Sequence, residues 1–179
     1  MGISSERYLG EEEKGEGDME SRQIDVSRLA ELSAVGLLAA KVRIALGRAR
    51  RSQTVREAEA RGLEGAVRYL NRLVEGLNQL RASGGNVRPP GPNELNAIES
   101  YLTAEGAVCS VASGPCPTPD AATMDDMDGR LAAVRSELER AISTRVVRPA
   151  DISEADLFFA SLADYANAEH QKMLRASLI

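Results

Sequence analysis

At 179 residues the chain is about one domain long, enough for a core of its own but not for two. Hydrophobic residues make up 43%, yet aromatics only 3%, and tryptophan is absent; a core of Ala, Leu and Val suits closely packed helices better than a sheet. The net charge of −5 sits in residues 1–20, where seven acids (Glu6, Glu11, Glu12, Glu13, Glu16, Asp18, Glu20) meet two bases, leaving 20 of each sign in residues 21–179, so bulk charge points to neither nucleic acid nor lipid.

No run of 18 or more apolar residues is present, so no stable membrane insertion is expected. The first 23 residues lack the apolar core of a secretory signal, and Glu6 stands where the myristoylation pattern wants Ser or Thr. By these rules the chain is made in the cytoplasm and stays there unless a route without a cleaved signal exports it. Residues 1–23 are Glu- and Gly-rich and cannot bury enough apolar surface to offset their ordering entropy, so they read as a disordered acidic tail.

The strongest pattern begins near Asp25, a plausible N-cap, and runs to about Arg81. Val35, Leu38, Val42, Ala45, Leu46 and Ala49 share one heptad phase. After a polar stretch from Arg48 to Glu59 the phase returns with Leu63, Ala66, Val67, Leu70, Leu73, Val74, Leu77 and Leu80. Residues 24–82 therefore form either one helix of about 57 residues, roughly 85 Å at 1.5 Å rise, or a helical hairpin turning near Gly47–Gln53. The continued phase favours the single helix; Gly47 leaves the choice open. Arg56 and Glu59 fall at positions that should face a partner.

Gly84, Gly85 and three prolines between Ala82 and Asn93 end that helix. Residues 83–150 form a loop-rich centre with short helices. Asn93 caps one carrying Leu95, Ile98, Tyr101 and Leu102, closed by Gly106. From about Asp120 another shows Met124, Met127, Leu131, Val134, Leu138, Ala141 and Ile142 at helical spacing, and Pro149 breaks it. Asp151 or Ser153 then caps a terminal helix within residues 151–179, with Ala155, Phe158, Phe159, Leu162, Tyr165, Ala166, Met173 and Leu174 on its apolar face. The expected fold is all-α, residues 24–179 forming one domain in which the long arm and the C-terminal helix make a coiled-coil hairpin. Its seam would bring Leu63, Val67, Leu70, Val74, Leu77 and Leu80 against Phe158, Leu162, Tyr165 and Met173, in one chain or between copies.

Chemistry-bearing patterns are sparse. His170, the only histidine, has no ligands at metal spacing, and no nucleophile elbow, Walker loop or dinucleotide fingerprint occurs. The run Asp125-Asp126-Met127-Asp128-Gly129 lies on a helical pattern and reads as an acidic helix start rather than a calcium loop. The expectation is therefore no enzyme, no catalytic residues, no metal and no cofactor. Cys109 and Cys116 would close a small disulfide in an oxidising space and stay free thiols in cytosol. The basic run Lys41, Arg43, Arg48, Arg50, Arg51 and Arg56 lacks interleaved aromatics, so it reads as a solvated or inter-subunit ion-pairing face and not as a nucleic-acid site.

The layout resembles the EspA-like secreted proteins of type III secretion systems. The likeness is carried by a polar start without a cleavable signal and the helix Leu29-Ala-Glu-Leu-Ser-Ala-Val-Gly-Leu-Leu-Ala-Ala, which leads through a polar stretch to a coiled-coil segment ending at Leu80. The proline-introduced Gly91-Pro-Asn-Glu-Leu-Asn-Ala-Ile-Glu-Ser-Tyr-Leu, the helix Leu131-Ala-Ala-Val-Arg-Ser-Glu-Leu-Glu and a terminal amphipathic helix complete it. The resemblance implies a virulence-associated filament subunit, secreted to the bacterial surface, self-assembling through coiled coils and held by a cytoplasmic chaperone before export. Needle-tip proteins share the long hairpin plan. The competing class is a cytoplasmic helical adaptor or chaperone that binds a partner through its apolar helix face.

Overall fold

A computed structural model describes residues 26–82, 91–103 and 106–177. Among them the regular structure is all helical: α1 (Gly2–Ser52, of which residues 26–52 are described), α2 (Glu57–Arg81), α3 (Asn93–Thr103), α4 (Ala121–Thr144) and α5 (Ser153–Ser177). The acidic tail expected over residues 1–23 lies outside the described residues.

The stripes of α1, α2, α4 and α5 close on one core. The order is read from residue pairs. Gly62 meets Ala45 and Gly65 meets Leu38, so α2 runs back along α1. Arg81 reaches Asp125 and Arg145 reaches Glu57, so α4 runs back along α2. Gly36 meets Ala166, and Arg50 pairs with Asp156, so α5 runs back along α1. The four long helices thus form an antiparallel up-down-up-down bundle, with short turns from α1 to α2 and from α4 to α5 and a long connection through α3 from α2 to α4. Small residues set the α1–α5 approach: Ala39 and Ala166 are fully buried, and a Cβ on Gly36 would already touch the Ala166 methyl at 3.7 Å. The two phenylalanines, Phe158 and Phe159, meet edge-on with centroids 5.0 Å apart.

The arm is two helices. Gln53 takes a left-handed φ of 59°, and the chain reverses through residues 53–56. The turn is tied to the α4–α5 connection by paired main-chain bonds, Val55 N–H to Arg145 C=O at 3.0 Å and Val147 N–H to Gln53 C=O at 3.1 Å. Val55 and Val147 plug this end of the core. The starts of α4, of the turn before α5 and of α5 itself find partners for their orphan donors. Asp120 accepts from Thr123 N–H at 2.8 Å. Asp151 accepts from Arg148 N–H across the 3-10 turn Pro149–Ile152. Ala155 N–H, in the first turn of α5, donates to Glu137 of α4 at 2.8 Å.

α3 packs on α2 and α5 and touches α4. Its backbone is left-handed, with φ between 42° and 72° from Asn93 to Thr103.

The loop after α3 is closed by a Cys109–Cys116 disulfide with Cα atoms 5.4 Å apart. Asn93 Nδ2 donates to Cys116 C=O at 3.0 Å. From α5, Glu169 Oε2 accepts from Ser110 Oγ and Val111 N–H at 2.9 and 3.0 Å. Reduction, or Cys109→Ser, should lower stability by about 2.5 kcal/mol through the entropy of an open loop of this length. A urea midpoint unchanged on reduction would show that Glu169 and Asn93 hold the loop without the bond.

Candidate functional site

Every seam residue expected from the sequence lies in the chain's own core. Leu63, Leu70, Leu77, Leu80, Phe158, Leu162, Tyr165 and Met173 are buried, and Val67 and Val74 pack partly buried against them. The expected facing is not the one formed. α2 shares its long interfaces with α1 and α4, and α5 shares its longest with α1. The α2 and α5 stripes look at one another across the bundle rather than side by side. A Leu/Ala stripe carries no label for its partner, and the two extra helices supply nearer surfaces.

With that seam consumed inside the chain, the apolar surface left for other molecules is elsewhere. Leu37 and Ile44, one heptad apart on α1, are 58% and 55% exposed, and Leu157 on α5 is 64% exposed. Ile44 and Leu157 line a groove of about 840 Å³ between the two helices, floored by Ala40, Gly47 and Ala160. Gly47 has no neighbour within 4 Å of a Cβ position, so the floor there is open. Arg43, Arg50 and Arg51 form the rim. Arg50 pairs with Asp156; among the described residues Arg43 and Arg51 have no carboxylate at ion-pair distance. Residues 40–51 hold five bases (Lys41, Arg43, Arg48, Arg50, Arg51) and no acid. Exposed leucine and isoleucine around one concavity with a charged rim are what a helix-docking groove presents.

A second feature lies in the core and went unread in the sequence. Arg28 and Glu99 are 2% and 1% exposed and pair at 2.9 Å, joining α1 to α3. Arg28 also bonds Glu31 at 3.0 Å, and Glu31 reaches Arg72 of α2 at 3.5 Å. Tyr69 and Tyr165 are buried around the pair. Burial pushes the Glu99 carboxyl above the usual carboxylate range, with Arg28 pulling the other way. Burial and then the Glu99 charge push both tyrosines upward. Burial would lower Arg28, but Glu99 and its neighbours leave it raised on balance. Arg28 Nε, Tyr69 OH, Asn96 Oδ1, Glu99 Oε1 and Tyr165 OH find no partner among the described residues. The sequence did hold a signal. Arg28 continues the 3–4 spacing of buried Leu32, Val35, Ala39, Val42, Leu46 and Ala49, and Glu59 likewise precedes Leu63 in phase and is buried. Glu99 had no such marker.

The remaining candidates take structural places. Asp125 and Asp128 pair with Arg81 at 3.1 and 3.6 Å. Among the described residues no group of three His, Cys, Asp or Glu could hold a metal, and no helix is long and apolar enough to cross a membrane. His170 is half-buried between α5 and α1. Arg56 is exposed at the α1–α2 turn. No protein-family model, curated protein or solved structure matches the chain. Fold and surface define an all-α antiparallel bundle carrying an apolar, basic-rimmed groove.

Proposed function

We propose that the chain is a structural subunit that assembles with copies of itself through the α1–α5 face, and not an enzyme. The observation that carries this reading is the apolar floor around Ile44 and Leu157, exposed although the bundle has closed its own core. The antiparallel α1–α5 pair supports the arm-and-terminal-helix hairpin of the EspA-like proteins, and a coiled-coil filament or needle-tip role is the form of assembly that likeness favours. The Cys109–Cys116 bond supports an oxidising destination, because disulfides persist outside the reducing cytosol. Secretion without a cleaved signal, to the bacterial surface, fits that destination. A cytoplasmic chaperone covering the groove before export is the partner this route calls for. Nucleic acid and cofactors have no part in the reading.

Light scattering with negative-stain microscopy on the oxidised full-length protein tests it. Growth into uniform fibres or closed oligomers on raising the concentration, suppressed by Leu157→Asp, is the expected result. Monomers at every concentration would remove self-assembly and leave a cytoplasmic adaptor as the competing account.

A further inference from the structure

The loop that follows α3 has little apolar area of its own to fix its place. From Gly106 to Asp120 only Cys116 and Pro119 are buried. It is tied to the helices through Ser100 Oγ, which donates to Cys109 C=O, and Asn93 Nδ2, which donates to Cys116 C=O. Its own Ser110 Oγ and Val111 N–H donate to one carboxylate oxygen of Glu169. What the loop covers is apolar. Val111 packs partly buried against the core. With Ala112 it walls a cavity of about 240 Å³, whose other side is Val26 and Leu29 of α1 and Met173 of α5. Met173 is only 8% exposed with the loop in place. We propose that the Cys109–Cys116 loop is a redox-controlled strap over this end of the α1–α5 pair. It is closed while the bond is intact and released when the bond is reduced, uncovering Leu29 and Met173.

The chemistry needs a dithiol reductant. One of its thiolates attacks a sulfur of the Cys109–Cys116 bond, and its second thiolate resolves the mixed disulfide, leaving two cysteine thiols and the reductant as a disulfide. The bond joins positions seven apart, and it withholds loop-closure entropy from the released state. Reduction returns that entropy and favours release by about 50–100-fold. The hydrogen bonds that remain exchange for bonds to water on release, so their net hold is small. Regions held by few buried contacts open locally before the rest of a fold does. On the proposed route out of a reducing cytosol the strap closes only after export, and the chain before export shows more apolar surface than the chain after it. That consequence rests on the proposed function; the strap itself does not.

Hydrogen peroxide on the folded full-length protein reads the strap, because it gives one oxygen to an accessible methionine thioether, forming sulfoxide and water. Met173 reports the strap, and Met127, fully buried in α4, reports unfolding of the whole bundle. Cys109→Ser with Cys116→Ser opens the loop in a form that peroxide cannot close again. In that variant Met173 oxidation, followed by mass spectrometry, should gain on Met127 oxidation by about tenfold or more relative to the wild type. Unchanged Met173 oxidation would show that the loop stays down without its bond and would overturn the strap. A rise shared equally by Met173 and Met127 would overturn it too, as a general loss of stability. Should circular dichroism find the double variant unfolded, hydrogen exchange on wild-type protein with and without dithiothreitol decides. The Val111 amide should lose its protection on reduction while that of Leu70 in α2 keeps its own; loss of both together would overturn the proposal. Neither readout involves Ile44 or Leu157, so the strap and the self-assembly face stand or fall separately.

Discussion

Replacing Arg28 by methionine should destabilise the protein by about 3–5 kcal/mol, because it strands the Glu99 carboxylate in the core. The reverse truncation, Glu99→Gln, should cost much less. It removes the group that burial disfavours, while Arg28 keeps Glu31 at 3.0 Å as a partner. Converting both, Arg28→Met with Glu99→Leu, should recover most of the loss, as apolar replacement of buried pairs often does. The pH dependence gives the same asymmetry an independent reading. The folded-state pKa of Glu99 is raised, so the folded protein holds the proton more tightly than the unfolded chain. Its contribution to stability is fully present below the ordinary carboxylate range near pH 4.3. It is lost as pH rises through the folded value. Urea midpoints measured from pH 4 upward should fall across that window in the wild type, and Glu99→Gln should flatten the fall. Removing Arg28 takes away the charge that holds Glu99 down, so Arg28→Met should carry the window to higher pH. Equal costs for the two single changes would show that the pair is not desolvated.

Leu70→Asp should prevent folding outright. Leu70 is fully buried in α2; losing a core leucine costs about 2–5 kcal/mol before any charge is considered, and an unpaired carboxylate there adds several more. Together these reach the whole stability of a domain, about 5–15 kcal/mol. Leu157→Asp makes the same chemical change on a residue 64% exposed and should alter stability by no more than about 0.5 kcal/mol. The contrast separates fold from docking. Far-UV circular dichroism and thermal melting check it: Leu70→Asp should lose the helical signal, and Leu157→Asp should keep it. A cooperative melt near the wild-type temperature for Leu70→Asp would mean that α2's stripe faces solvent in the monomer.

These two predictions mark where the sequence is readable. Burial along α2, α4 and α5 follows from the spacing of Leu63, Leu70 and Leu77, of Met127, Leu131 and Leu138, and of Phe158, Leu162 and Tyr165. The break after Ser52 was not decided by that spacing. Ala49 and Leu63 are two heptads apart, and a reversal of suitable length preserves the phase as well as a continuous helix does. What fixes the turn is a left-handed Gln53 and the main-chain bonds of Val55 and Val147, contacts between segments far apart in sequence. Partner choice was equally hidden, since Leu and Ala pack against any complementary stripe; α1 takes α5 through the small residues Gly36, Ala39 and Ala166. The groove could be seen only in its charge, as the basic run from Lys41 to Arg51. Its floor belongs half to α5, and Leu37, Ile44 and Leu157 identify themselves only by remaining exposed once the core is closed.

The most direct measurement of the central claim is sedimentation velocity on the oxidised full-length protein, from low micromolar to near-millimolar concentration, beside Ile44→Asp with Leu157→Asp. The account predicts a wild-type sedimentation coefficient that rises with concentration, and a double variant that stays monomeric with an unchanged melting temperature. A wild type and variant that sediment alike at every concentration would contradict it.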